Sequence, residues 1–219
     1  MRLQIFELFC KATLATLEMV FASAVIAVFF GLPLAILLTI TRPGGLWPIR
    51  SIGRVLGFVV DLTRAVPFII LLLILIPFTR FVVGTALGTA AAIVPLSITA
   101  IPYFARIAEV SLREVSPEFI DAVRAMGATR AKIVRSVLIP EALPGLVSGL
   151  TVTMVSLISA SAMAGVVGAG GLGDLAIRYG YQRFNTAMML WVVSILVALT
   201  IIVQFCGNIV SARLKAYNR

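Results

Sequence analysis

Histidine is absent from this 219-residue chain, cysteine occurs twice, and charged residues make up only 12% of it. The missing imidazole excludes a histidine-based metal site. Cys10 and Cys206 lie near opposite ends of the chain, and the span count below puts them at opposite sides of a bilayer. A disulfide within one chain is therefore not expected, and both thiols are expected as small buried hydrophobes. Soluble domains carry about 25% charged residues, so this chain has too few polar groups to cover a water-facing surface. It also has no G-x-x-x-x-G-K-S/T segment, which excludes the usual phosphate-binding loop for ATP.

What is present is apolar. Hydrophobic residues are 61% of the chain and the mean hydropathy is +1.11. The pattern predicts an all-α, polytopic membrane protein forming one domain over residues 1–219, with no soluble domain of its own. Residues 14–41, 61–79, 81–105, 143–168 and 186–211 are the expected spans. The A-x-A pattern at Ala22, Ser23 and Ala24 is not read as a signal cleavage site, because the apolar run continues past it. Asp61 and Arg64 sit three apart and mark the start of the second span, with Pro67 in its first turns. Pro95 and Pro102 are expected kinks in the third. Residues 1–12 read as an interfacial helix leading into the first span.

Basic residues choose the orientation. Arg42, Arg50 and Arg54 follow span one, the six from Arg106 to Arg135 follow span three, and Arg213, Lys215 and Arg219 follow span five. The other side holds Arg2, Lys11, Arg80, Arg178 and Arg183. The richer side is expected in the cytoplasm, with the N-terminus outside and the C-terminus inside. The net charge of +9 is thus spread through loops between spans, which argues against nucleic acid as a partner.

The loop at about 106–141 carries the strongest signal. Ser116 is a good N-cap and Pro117 a good first helical residue. Glu118 and Asp121 place negative charge at the positive end of that helix. Phe119, Val123 and Met126 form an apolar stripe, Gly127 ends the helix, Thr129 caps a second one, and Pro140 closes it. Such a segment is either packed on its own membrane domain or docked on something else.

The segment resembles the cytoplasmic signature loop of binding-protein-dependent ABC importer permeases. That pattern is E-A-A, three residues, Gly, nine residues, then I-x-L-P. Here it reads Asp121-Ala122-Val123, Gly127, then Val137-Leu138-Ile139-Pro140. Arg64-Ala65-Val66-Pro67-Phe68, Ile76-Pro77-Phe78-Thr79-Arg80 and Val166-Val167-Gly168-Ala169-Gly170-Gly171-Leu172-Gly173 are similar to the methionine importer subfamily, as is most of the chain.

The resemblance implies the type I ABC importer permease fold, a second copy of the chain, two cytoplasmic ABC ATPase subunits, and an extracytoplasmic substrate-binding protein or lipoprotein. It implies that Glu118, Phe119, Asp121, Ala122, Val123, Met126, Gly127, Val137, Ile139 and Pro140 couple the permease to the ATPase. It also implies that the chain itself catalyses nothing, needs no cofactor, and sits in the cell inner membrane among lipid. Alternating access is the expected mechanism and methionine the implied solute. Another amino acid, a quaternary amine, or an ATP-independent channel or scaffold stays open on residues alone.

Gly168–Gly173 satisfies G-x-G-x-x-G but follows a membrane helix and not a strand, so a turn at the end of span four is expected instead of a dinucleotide site. Gly145 and Gly149 form a G-x-x-x-G pair, and Ser156, Ala160, Ala164 and Gly168 a small-residue ladder. These faces serve either packing within the chain or contact between copies. Ser159, Ser161 and Met163 are the candidate lining of a substrate path. No charge lies mid-span, so ion-coupled transport has no machinery.

Overall fold

A computed structural model describes residues 2–217, and Arg219, counted above among the basic residues, lies outside them. The described residues are helical with no strand. In chain order they form α1 (Arg2–Thr41), α2 (Arg50–Ala65), α3 (Phe68–Ile74), α4 (Ile76–Val83), α5 (Thr89–Arg113), α6 (Pro117–Ala125), α7 (Arg130–Ile133), a π-turn (Val134–Leu138), α8 (Ile139–Val166), α9 (Gly171–Leu175), a second π-turn (Ala176–Tyr181) and α10 (Thr186–Tyr217). Four unbroken stretches are long and apolar enough to cross a membrane: Gln4–Thr41, Thr89–Arg113, Arg130–Val166 and Thr186–Ala216. α2 and α3 pass the same test only when taken together, and they meet at a 100° bend, as in a broken span or a re-entrant loop. The architecture is thus all-α and polytopic.

The core lies where α1, α5 and α8 pack together. Ala27, Ala105, Ala108 and Ala164 are fully buried there, and so are Met19 and Leu96. Small side chains let these backbones approach closely. Gly145 and Gly149 face α5: a Cβ at Gly145 would stand 2.6 Å from the Ser111 hydroxyl, and one at Gly149 2.8 Å from Ile107. This G-x-x-x-G pair therefore serves packing within the chain. α10 lies on the flank, with Leu190, Trp191, Ile201 and Phe205 exposed.

Several sequence expectations need correction. Residues 2–12 do not form a separate interfacial helix; α1 runs unbroken from Arg2 to Thr41. The second span is not one helix over 61–79. Its helix begins at Arg50, so Pro67 falls past its end and not in its first turns. Val66 is pushed to extended backbone (φ −78°, ψ 125°), as the residue before a proline prefers. The third span starts at Thr89, because Gly84 and Gly88 turn the chain with φ of 83° and 91°. Pro140 does not close the helix that Thr129 caps. Arg130–Val166 is continuous, and the Ile139 N–H reaches back to the Val134 carbonyl. That widened turn makes room for the proline ring, which would otherwise strike the preceding turn. Cys10 and Cys206 are free thiols on exposed helix faces, not buried ones.

Candidate functional site

The lever, residues 116–139, is built from local signals. The Ser116 hydroxyl accepts the Glu118 N–H at 3.3 Å and donates to the Glu118 carboxylate at 2.9 Å. At the other end of α6, Gly127 takes φ +80°. Its N–H donates to the Arg124 carbonyl at 3.0 Å, and the Ala128 N–H to the Val123 carbonyl at 3.3 Å. This is the paired-bond termination that needs a left-handed residue. Thr129 then caps α7 through the Lys132 N–H at 3.4 Å.

The lever is seated on the end of α1. Ile133 is buried with Ile40 and Leu46, and Ile120, Val123, Ala128 and Val134 pack on that cluster. The Arg130 guanidinium lies 5.3 Å from the Trp47 ring centroid. Val123 thus belongs to the seated face together with Ile120, which the sequence reading passed over. Phe119 and Met126 point away, 56% and 77% exposed. Ala122 is exposed between them, flanked by Glu118 and Asp121. The expected stripe of Phe119, Val123 and Met126 is therefore divided, and the free apolar surface is Phe119–Ala122–Met126. Of the C-terminal signature positions, Val137 and Ile139 pack partly on the core, while Pro140 is exposed.

Sequence reasoning also missed a charge cluster beside the lever. Glu109 is only 5% exposed. It accepts from Arg106 at 2.7 Å and from Arg113 at 3.5 Å. Arg106 also reaches Asp61 at 2.9 Å, closer than Arg64 at 3.6 Å. Asp61 thus ties α2 to α5, and its pairing with Arg64 is the weaker contact. A burial signal was available: Glu109 stands among the alanines and leucines of the helical face that α5 turns inward.

On α8, Ser156, Ser159 and Met163 share one exposed face. Ser159 opens into a groove of about 440 Å³ between α8 and α10, where Thr200 also lies. Ser161 does not join them. Two residues past Ser159 it falls on the opposite side of the helix, is 1% exposed, and donates to the Ile158 carbonyl at 2.7 Å. Beyond α8 the glycine segment is a turn, with φ of 88°, 82° and 74° at Gly168, Gly170 and Gly171. The Leu172 N–H fastens it to the Thr16 hydroxyl at 2.9 Å.

The geometry is that of a helical membrane body with a capped, outward-facing lever. Known proteins are similar to this chain. A Vibrio cholerae protein named "Probable D-methionine transport system permease protein MetI" is 46% identical over 202 residues, covering 92% of this chain and 90% of its own. The Bacillus subtilis "Methionine import system permease protein MetP" is 41% identical over 175 residues, covering 80% and 79%. A solved structure described as "Inward facing conformations of the MetNI methionine ABC transporter" superposes with a TM-score of 0.95 at 44% identity, over 96% of this chain and 98% of that one. Residues 31–216 match the family described as "Binding-protein-dependent transport system inner membrane component". The chain is a member of that family, a membrane-embedded permease component of a binding-protein-dependent transporter.

Proposed function

We propose that the chain is the permease of an ATP-driven methionine importer, working as two copies around one path and driven by two separate ATPase subunits. The observation that carries the coupling is the free Phe119–Ala122–Met126 surface. It is an apolar patch on a helix whose other face is already seated, so it is available to a partner. Exposed apolar anchors of this kind fill pockets on a second protein. Glu118 and Asp121 beside them set register and partner choice. The chain has no phosphate-binding loop of its own, so ATP hydrolysis belongs to that partner.

The coupling is mechanical in this reading. Closure of the ATPase pair on ATP draws the two levers together. Each lever is continuous with α8 through the π-turn and is seated on α1, so the membrane body follows as a rigid unit. Ser159 and Met163 face the path, where a hydroxyl meets the polar end of the amino acid and a thioether its side chain. An extracytoplasmic binding protein delivers the solute near the glycine turn. The lever lies in the cytoplasm and the N-terminus outside, a reading supported by the basic-residue count. The methionine assignment is supported by the names of the relatives and by the similarity across the chain.

The test is uptake. The chain is co-expressed with its neighbouring genes, purified, and reconstituted in vesicles with ATP on the lever side. The expected result is an ATPase subunit that co-purifies and ATP-dependent uptake of radiolabelled methionine. Co-purification without methionine uptake, together with uptake of a different amino acid, would overturn the solute. Absence of any ATPase would overturn the class.

A further inference from the structure

The last turn of α1, the start of α2 and the end of α5 enclose a cleft of about 390 Å³ that no part of the transport reading uses. Its lining includes Arg42, Arg50, Arg54, Arg106 and Glu109. Arg106 is already committed to Glu109 and Asp61. Arg50 and Arg54 make no ion pair among the described residues. The Arg42 Nε is buried without a hydrogen-bond partner. Three arginines therefore line one space whose carboxylate, Glu109, is already bonded to Arg106 and Arg113. Burial lowers the pKa of Arg42, the Arg113 charge lowers it further, and Glu109 partly offsets both. An anion in the cleft would relieve that strain.

The other side of α2 says what kind of anion. Ile52, Val55, Val59 and Leu62 are exposed at i, i+3, i+7 and i+10. Arg50, Arg54, Asp61 and Arg64 occupy the opposite face. An apolar stripe and a basic face on one helix is the composition of a segment lying at the membrane surface. The cleft is therefore placed where hydrocarbon gives way to headgroups. Guanidinium forks match phosphate oxygens in pairs, and basic pockets between membrane helices take anionic headgroups.

We propose that this cleft binds the phosphate headgroup of an anionic phospholipid, with Arg42, Arg50 and Arg54 as its ligands and the apolar face of α2 beside the acyl chains. The site is independent of which solute is transported. Its occupant joins α1, α2 and α5 at the end of the bundle where the lever is seated.

The experiment uses the full chain with whatever subunits co-purify. Native mass spectrometry counts bound dioctanoyl phosphatidylglycerol, with dioctanoyl phosphatidylcholine and inorganic phosphate as companion probes. Wild type is expected to retain phosphatidylglycerol over phosphatidylcholine. The double variant R50Q/R54Q is expected to lose about tenfold or more in apparent affinity, since each basic residue near an anionic surface contributes about a fivefold factor. R50K/R54K keeps the charge but loses the fork, so it should bind more weakly than wild type and more tightly than R50Q/R54Q, which separates charge from folding. Retention unchanged in R50Q/R54Q overturns the site. Inorganic phosphate displacing the lipid at equal concentration shows a free-phosphate site and overturns the lipid. Loss of a co-purifying subunit with lipid binding intact shows that the arginines serve a protein contact, and overturns it as well.

Discussion

At Gly127 an added Cβ would meet nothing within 4 Å, yet φ is +80°. At Gly149 the backbone is helical, yet an added Cβ would stand 2.8 Å from Ile107 on α5. The lever and the α5–α8 crossing thus both depend on glycine, but for different reasons. The lever needs a conformation, and its surroundings are open solvent. The crossing needs a vacancy, and its backbone is ordinary. The lever is shaped by its own chain and keeps an uncommitted face. The crossing is shaped by its neighbours and keeps none.

The widest separation between the two regions comes from Gly149→Leu. A full side chain driven into α5 displaces Ile107 and splays the helices, and overpacking of this sort costs roughly 3 kcal/mol. The effect should appear as loss of folded permease from detergent extracts, read by size-exclusion yield and thermal unfolding. A yield and melting temperature equal to wild type would mean that α5 and α8 are not held by close approach.

Gly127→Val should cost less and act differently. A side chain in left-handed backbone costs about 1–2 kcal/mol, more for a β-branched residue. Because nothing surrounds the site, the strain is relieved by re-forming the turn, which swings α6 relative to α7. Membrane insertion and extraction should stay normal while ATP hydrolysis and uptake come apart. Gly127→Asn, which tolerates the left-handed region better, should keep most of the coupling. Wild-type uptake in the Val variant would mean that the bend between the two lever helices is unimportant.

The same contrast explains what could be read ahead of the structure. Ser116, Gly127 and Thr129 act on backbone groups within a few residues, so their roles are visible in the local sequence. The long apolar runs likewise announce membrane helices. The effect of Pro67 depends on where its helix begins, and Arg50–Ala65 is too charged to stand out as part of a span. Pro140 reads as a helix end because a π-turn that absorbs a proline has no residue signature. Glu109 and Asp61 meet through Arg106, across 45 residues in the latter case, and only the packing of α2 on α5 brings them together. Phe119, Val123 and Met126 share an arc of a helix on paper. The rotation that gives Val123 to the seat and leaves the other two outside is set by Ile40, Leu46 and Ile133, none of which is in α6.

The smallest effect on the fold is expected at that outward face. Phe119→Ala combined with Met126→Ala removes no contact from the seated side of α6, where Ile120 and Val123 still pack on Ile133. Surface changes of this kind fall within about 0.5 kcal/mol, so the melting temperature of the isolated permease should hardly move. Binding of the ATPase partner is a different matter. Exposed aromatic and thioether anchors that become buried in a partner's pocket carry about 2 kcal/mol or more, which is on the order of a thirtyfold loss of affinity. Titration of the permease variant with purified ATPase subunit, beside the matched variant Ile120→Ala, separates the two faces. The outer pair should weaken the partner and spare the fold, whereas Ile120→Ala should loosen the lever's seat on α1. If both variants change stability and affinity in parallel, the lever has no division between a seated face and a docking face, and the contrast with the crossing disappears.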